Sequence, residues 1–212
     1  MKKLITENDI LNLFKKGQNS IIIPKDSLIT PAAKDKIKEL GILISSEVNL
    51  KKSFEKELLS PSQTVIALGN DHNGYAYKTF LLDYLYKRGY KLVDVGSYDT
   101  KPADFPEIAR RACQKIQCKE AHYAILTDAT GNASAMVCNK FRGIRAATGY
   151  NEFTAKSSRE HNNANVLCLG AKALGENSLT SIVDAWLTTN FGGERHQKRL
   201  DIVSEIEKAN FK

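Results

Sequence analysis

Residues 65 to 74 read V-I-A-L-G-N-D-H-N-G: four apolar side chains, a glycine, then polar residues closing on a second glycine. A short apolar run of this kind is a strand covered on both faces, and the polar turn marks its end. The same texture recurs downstream. Strands are predicted at VIAL (65 to 68), KLVDV (91 to 95), YAILT (123 to 127), IRAA (144 to 147) and VLCLG (166 to 170). Amphipathic helices are predicted between them at 75 to 88, 105 to 117, 133 to 140, 152 to 160 and 178 to 189, with a last one from 195 to 209. Strands alternating with helices give a parallel sheet with right-handed crossovers. The expected fold is α/β: a doubly wound, five-stranded parallel sheet in a Rossmann-like α/β/α sandwich.

Upstream of this region the texture changes. Residues 49 to 63 (NLKKSFEKELLSPSQ) are charged and then Ser/Pro-rich, as in a linker, so the division expected is a small segment at 1 to 48, a linker at 49 to 63 and a main domain at 64 to 212. In the first segment Thr6 is placed to cap a helix carrying Ile10, Leu11, Leu13 and Phe14 that stops at Gly17. Ile21 to Ile23 read as a strand closed by Pro24, Thr30-Pro31 starts a second helix with Ala33, Ile37 and Leu40 on one face, and ILIS follows Gly41. This is a small N-terminal α/β extension with a marginal core.

Bulk properties exclude several classes. A chain that is 42% hydrophobic and 26% charged is neither fibrous nor disordered. No run of eighteen apolar residues occurs, and the start MKKLITENDI turns polar too early for a secretion signal, so a cytoplasmic protein with no membrane partner is expected. The net charge of +7 is spread along the chain rather than gathered into a basic stripe with aromatics, which argues against nucleic acid as a partner. Cys113, Cys118, Cys138 and Cys168 form no C-x-x-C pair, and buried free thiols are expected at 138 and 168. No His/Cys/carboxylate spacing points to a metal, and the absence of G-x-G-x-x-G disfavours a dinucleotide cofactor.

Ligands of open α/β sheets sit outside the carboxyl ends of the strands. Asp71-His72 follows the first strand, Asp128-Ala129-Thr130-Gly131 the third and Gly149-Tyr150-Asn151 the fourth. Three of the four histidines lie in the clusters D-H-N-G, H-N-N (161 to 163) and R-H-Q-K-R (195 to 199). Proton-moving imidazoles together with fixed cations are what a small phosphorylated substrate requires. Each group also has a plainer role. Asp128 at a strand-to-helix turn is a base or a helix cap, Asp71 and His72 form a turn with Gly74 or touch substrate, and His161 acts in chemistry or is satisfied near a helix end. Arg195 and Arg199, one helical turn apart, hold phosphate or pair with Glu194 and Asp201. His196 reads as structural, and His122 as a surface residue.

V-I-A-L-G-N-D-H-N-G, N-K-F-R-G-I-R-A-A, S-R-E-H-N-N-A-N-V-L-C-L-G, I-V-D-A-W-L and G-G-E-R-H-Q-K-R, in this order and spacing, resemble the ribose-5-phosphate isomerase B family, which also holds the two subunits of galactose-6-phosphate isomerase. The resemblance covers residues 64 to 212. It implies a cofactor-free aldose–ketose isomerase of a sugar phosphate, ribose 5-phosphate first, acting through an enediolate at sites shared between the subunits of a homodimer or larger assembly. By position, His161 matches the family's ring-opening proton donor, and Asp71, His72 and Asn162 match substrate ligands. The stretch Ala129, Thr130, Gly131, Asn132 and Ala133 matches the loop whose amides hold the enediolate. Lys172, Arg195 and Arg199 match the phosphate clamp, with lysine where arginine is usual.

Position 128 departs from the pattern. Cysteine-type members carry their proton-abstracting thiol there and others place a glutamate six residues later; this chain has Asp128 and Ser134. Asp128 is therefore the expected proton shuttle, with Thr130 orienting it. The string D-A-T-G-N-A-S-A-M-V also resembles the non-cysteine subunit of galactose-6-phosphate isomerase. The alternative reading is accordingly a non-catalytic or partner-dependent subunit that binds sugar phosphate. Finally, M-K-K-L-I-T-E-N-D-I and I-T-P-A-A-K-D…L-G-I resemble the N-terminal segment of ethanolamine-utilisation proteins of bacterial microcompartments, which implies a segment that docks to a shell or cargo partner.

Overall fold

The computed structural model describes residues 4–15, 20–23, 27–46 and 58–210. The chain divides into two units, Met1–Lys56 and Glu57–Lys212. Gly17, Pro24 and the expected linker up to residue 57 lie outside the described residues.

The first unit is built from β1 (Leu4–Ile5), α1 (Glu7–Lys15), β2 (Ser20–Ile23), β3 (Leu28–Ile29), α2 (Pro31–Glu39) and β4 (Leu43–Ser46). It is a tandem repeat: Leu4-Ile5-Thr6 leads into α1 as Leu28-Ile29-Thr30 leads into α2. The hydroxyl of Thr6 accepts from the Asp9 amide at 3.4 Å and that of Thr30 from the Ala33 amide at 3.2 Å, each capping its helix. β1 lies parallel to β3, with Leu4 opposite Leu28, and β2 lies parallel to β4. Ile5, Ile10, Ile21, Ala33, Ile37 and Ile42 are buried together, so the unit has a small core of its own. The two-residue strands β1 and β3 are too short to show a period, which is why they escape a pattern-based reading.

The second unit comprises β5 (Val65–Asn70), α3 (Tyr75–Lys87), β6 (Lys91–Asp94), α4 (Phe105–Gln117), β7 (Tyr123–Asp128), α5 (Asn132–Cys138), β8 (Ala146–Thr148), α6 (Glu152–Glu160), β9 (Val166–Gly170), α7 (Glu176–Leu187) and α8 (Glu194–Asn210). The five strands form one parallel sheet in the order β6-β5-β7-β9-β8. Alternate side chains enter opposite layers, as the period of two requires. Ile66, Leu68, Ile125, Leu167 and Leu169 pack with Leu81, Ile182 and Trp186 on one side. Ala67, Leu126, Val166 and Cys168 pack with Ile108, Cys113 and Cys138 on the other. The doubly wound sandwich is as expected. β8 begins later than predicted because the Arg145 amide donates to the Asn165 side chain (2.8 Å), leaving Ile144 and Arg145 outside the strand.

From β5 the chain passes to β6 on one side and then to β7 on the other. The direction of winding therefore reverses between β5 and β7, where loops diverge and leave a crevice at the strands' carboxyl ends. α8 is left partly uncovered within one chain: Ile202, Val203 and Ile206 are 62%, 51% and 57% exposed. Leu200, Val203 and Ile206 line a groove of about 400 Å³ with Ile144, Ala146, Ala147 and Ala164.

Candidate active site

The loops after β5, β7 and β9 are laced together at the carboxyl rim. The Asp71 amide donates to the Thr127 carbonyl (3.1 Å), and the Thr127 hydroxyl donates to the Gly74 carbonyl (2.9 Å). Gly74 is required there, because a Cβ would lie 2.1 Å from the Thr127 oxygen. Asp71 is buried and accepts through Oδ1 from the amides of Asn73 (2.8 Å) and Gly74 (3.1 Å), while His72 is exposed beside it. On the other side the Lys172 amide donates to the Ala129 carbonyl (3.0 Å), which sets the exposed lysine next to the same loop.

Asp128 is the hub of this rim. Its Oδ1 accepts from the amides of Thr130 (2.8 Å) and Gly131, and its Oδ2 from the amide of Ser134 (2.9 Å). The side chain is 2% exposed. Of the two roles left open by the sequence, these contacts are those of the cap: the carboxylate satisfies amides that the start of α5 would otherwise leave without acceptors. Gly131 turns the loop with φ +83°, and a Cβ there would meet the Thr148 methyl at 2.8 Å. The Asn132 amide donates to the Thr130 hydroxyl (3.3 Å), so the amides of Thr130, Gly131 and Asn132 are all engaged within the loop. The hydroxyls of Tyr150 (2.7 Å) and Thr148 (3.3 Å) both reach Asn132 Oδ1, which fixes that side chain with its amide nitrogen turned away from them.

His161, Asn162, Arg195 and Arg199 are not at this rim. α6 runs back against the strand direction from Asn151, so His161 at its end comes out beside the start of β9, where the Asn165 amide donates to the Arg145 carbonyl ahead of β8 (3.0 Å). α7 returns in the same sense, and the Gly192 amide donates to the Glu160 carbonyl (2.8 Å), bringing the first turn of α8 to the same edge. The six residues of β7 separate the two ends of the sheet by about 20 Å, whereas five carbons and a phosphate span roughly 9 Å at ordinary bond lengths. One chain thus places the residues expected at the site in two groups at opposite ends of the sheet and brings the histidine clusters together only in part. The three cations expected from the resemblance to hold phosphate are divided in the same way, with Lys172 at one end of the sheet and Arg195 and Arg199 at the other. The strand-end rule, which places ligands at carboxyl ends, does not reach a residue that closes a returning helix.

At the second edge the His161 ring stacks on His196, with centroids 4.4 Å apart and planes at 17°. His161 Nδ1 is 3.1 Å from the Ser157 hydroxyl, and Nε2 is 4.0 Å from Glu160. Arg159, 5% exposed, holds the loop from beneath: it donates to Asn163 Oδ1 (3.2 Å), to the Ala164 carbonyl and to the Tyr123 hydroxyl (2.9 Å). Burial pulls the Arg159 guanidinium below its ordinary range. Ser157 and Arg159 escaped the sequence reading. The signal for Ser157 was its place four residues before His161, the spacing that brings two side chains to one helical face.

Three of the four cysteines lie in the interior and the fourth, Cys118, is exposed. Cys113, Cys138 and Cys168 are free and buried, as expected for 138 and 168. The contact with Cys138, and burial, push the Cys113 thiol well up. At Cys138 the contact with Cys113 acts downward, but the contact with Cys168 and burial outweigh it and raise that thiol too. Among the described residues no group of three metal-ligating side chains converges, and no helix is long and apolar enough to cross a membrane.

Known proteins carry the same domain. The sequence model of the Ribose/Galactose Isomerase family matches residues 66–203. Ribose-5-phosphate isomerase B of Escherichia coli strain K12 is 35% identical over 142 residues, covering 67% of this chain and 95% of that protein. Ribose-5-P isomerase B of Listeria innocua is 32% identical, covering 68% and 98%. Among solved structures, the ribose-5-phosphate isomerase B of Clostridium thermocellum superposes with a TM-score of 0.68 at 38% identity, covering 69% of this chain and 99% of that one. That of Mycoplasma genitalium with bound ribulose-5-phosphate superposes at 0.66 and 34%, covering 68% and 97%. With the sheet order and these similarities taken together, the chain belongs to the Ribose/Galactose Isomerase family.

Proposed function

We propose that this protein is a cofactor-independent isomerase that interconverts ribose 5-phosphate and ribulose 5-phosphate through an enediolate, at sites each built from two copies of the chain. The observation that carries this reading is the division of the site residues between opposite ends of one sheet. The carboxyl rim of one copy (Asp71, His72, Asp128 to Ala133, Lys172) meets the His161, Asn162, Arg195 and Arg199 edge of the other. The uncovered apolar side of α8, which starts at that edge, is the surface a second copy would bury. His161 donates through Nε2 to open the sugar ring, since Nδ1 is occupied by Ser157. Asp128 carries the proton between neighbouring carbons through Oδ2, which holds one amide, while Oδ1 with two keeps the loop in place. The amides of Ala129 and Ala133 are left to hold the enediolate oxygen.

The burial of Asp128 favours a second reading, a subunit that binds sugar phosphate and meets its proton-abstracting group on a different polypeptide. Assay of the purified chain alone with ribose 5-phosphate and with a six-carbon sugar phosphate separates the two. Turnover of ribose 5-phosphate is expected. Binding of the sugar phosphate without turnover would replace the first reading by the second, and neither binding nor turnover would overturn both. For residues 1 to 48 we propose docking to a microcompartment shell or cargo partner. A chain lacking residues 1 to 55 that still co-sediments with shells would remove that role.

A further inference from the structure

His196 reads as structural in the sequence, yet it is the residue laid flat against the acid. His196 is 8% exposed, and its ring lies 4.4 Å from that of His161 and nearly parallel to it. Arg195 Nε donates to His196 Nε2 at 3.3 Å, so this nitrogen is an acceptor and the proton of the neutral ring sits on Nδ1. Gly192 packs against the ring, where a Cβ would come 3.5 Å from His196 Cδ2. The other groups facing the pair are Glu160, 4.0 Å from His161 Nε2, the cation of Arg199 one turn along α8, and the hydroxyl of Ser157.

From this geometry we propose that His196 is a positioning residue for His161: a flat imidazole, pinned by Arg195, against which the catalytic ring is held with Nε2 outward. Two stacked imidazolium rings beside two arginines would repel, which disfavours the charged form of His196. Burial, His161 itself, Arg195 and Arg199 all act to hold His196 below the ordinary histidine range, and only Glu160 opposes them. The flat face of His196 then supports the His161 ring. The Ser157 contact alone leaves the His161 ring free to pivot about Nδ1; the stack removes that freedom.

The inference rests on the isomerase reading for its kinetic arm but has an independent one. In His196→Leu, kcat is expected to fall about tenfold with KM within about twofold, since an aromatic stack contributes on the order of tenfold in an equilibrium. His196→Phe keeps the flat face and is expected to stay within about threefold of the parent. In a His161→Gln background, His196→Leu is expected to cost nothing more, because it acts only through His161. Nitrogen-15 ring spectra of the full chain supply the independent arm. As pH falls, His196 Nε2 should take up a proton only below the ordinary histidine range, and the His161 ring signals should shift in His196→Leu but not in His196→Phe. Equal damage from Leu and Phe, an added loss in the His161→Gln background, or His161 signals indifferent to residue 196 would each overturn the proposal. If the wild-type chain turns over no sugar phosphate, the spectra still decide it.

Discussion

Changing His161 to glutamine is expected to lower kcat for ribose 5-phosphate by about a hundredfold or more, with KM within about threefold. A positioned general acid contributes roughly 10² to 10⁴ in rate, and ring opening precedes any proton transfer between carbons. Glutamine retains a polar group of similar reach but does not take up and release a proton at neutral pH. The fold should not suffer. The His161 side chain is 40% exposed, and the loop that carries it is held from below by Arg159 through Asn163 and Ala164 rather than by the imidazole. Steady-state kinetics beside a thermal melt check this. A loss below tenfold would show that the ring is opened elsewhere, and a fall in melting temperature of many degrees would show that the histidine holds the loop.

The second large effect is at Asp128. Replacing it by asparagine leaves Oδ1 as an acceptor for the Thr130 and Gly131 amides but sets an NH₂ against the Ser134 amide. Leaving one buried donor unsatisfied costs about 1 to 3 kcal/mol, so the variant should fold with a lower midpoint. If Oδ2 is the proton shuttle, kcat falls far more than this strain explains, by about a thousandfold at a temperature well below the new midpoint. Asp128→Ala, which leaves all three amides without an acceptor, should be the less stable of the two by a further few kcal/mol, roughly. The comparison separates anchor from base. A stability loss with kcat within about tenfold of wild type would leave Asp128 as the loop's cap alone and place the proton-abstracting group on another chain.

The sheet was legible because its evidence is local. VIAL, YAILT and VLCLG are apolar on both faces, and Gly74 and Gly131 mark turns where the backbone has no room for a side chain. The same holds for Thr30-Pro31, which starts α2 as read, the Thr30 hydroxyl accepting from the Ala33 amide. Two things were less accessible. β1 and β3 span two residues each and carry no period, although the repeated Leu-Ile-Thr was there to be noticed. The arrangement of the site is harder, because residue types state what a group does but not the end of the sheet on which it emerges. His161 and Asp128 are 33 positions apart in sequence, being residues 161 and 128, and only the return of α6 against the strands reveals that they face opposite ways. Burial of Asp128 likewise follows from three amides that belong to its neighbours' backbone, which no side-chain pattern encodes.

The claim on which the account turns is that neither end of one chain makes a site alone. It is tested by a hybrid dimer, prepared with two affinity tags, in which one copy carries His161→Gln and the other Asp128→Asn. Each variant by itself leaves every site with one defective half. The hybrid brings both defects to one site and leaves the other intact, so it should recover about half the turnover of the wild-type dimer. A hybrid as inactive as its two parents would mean that each site is confined to a single chain, and would contradict the account.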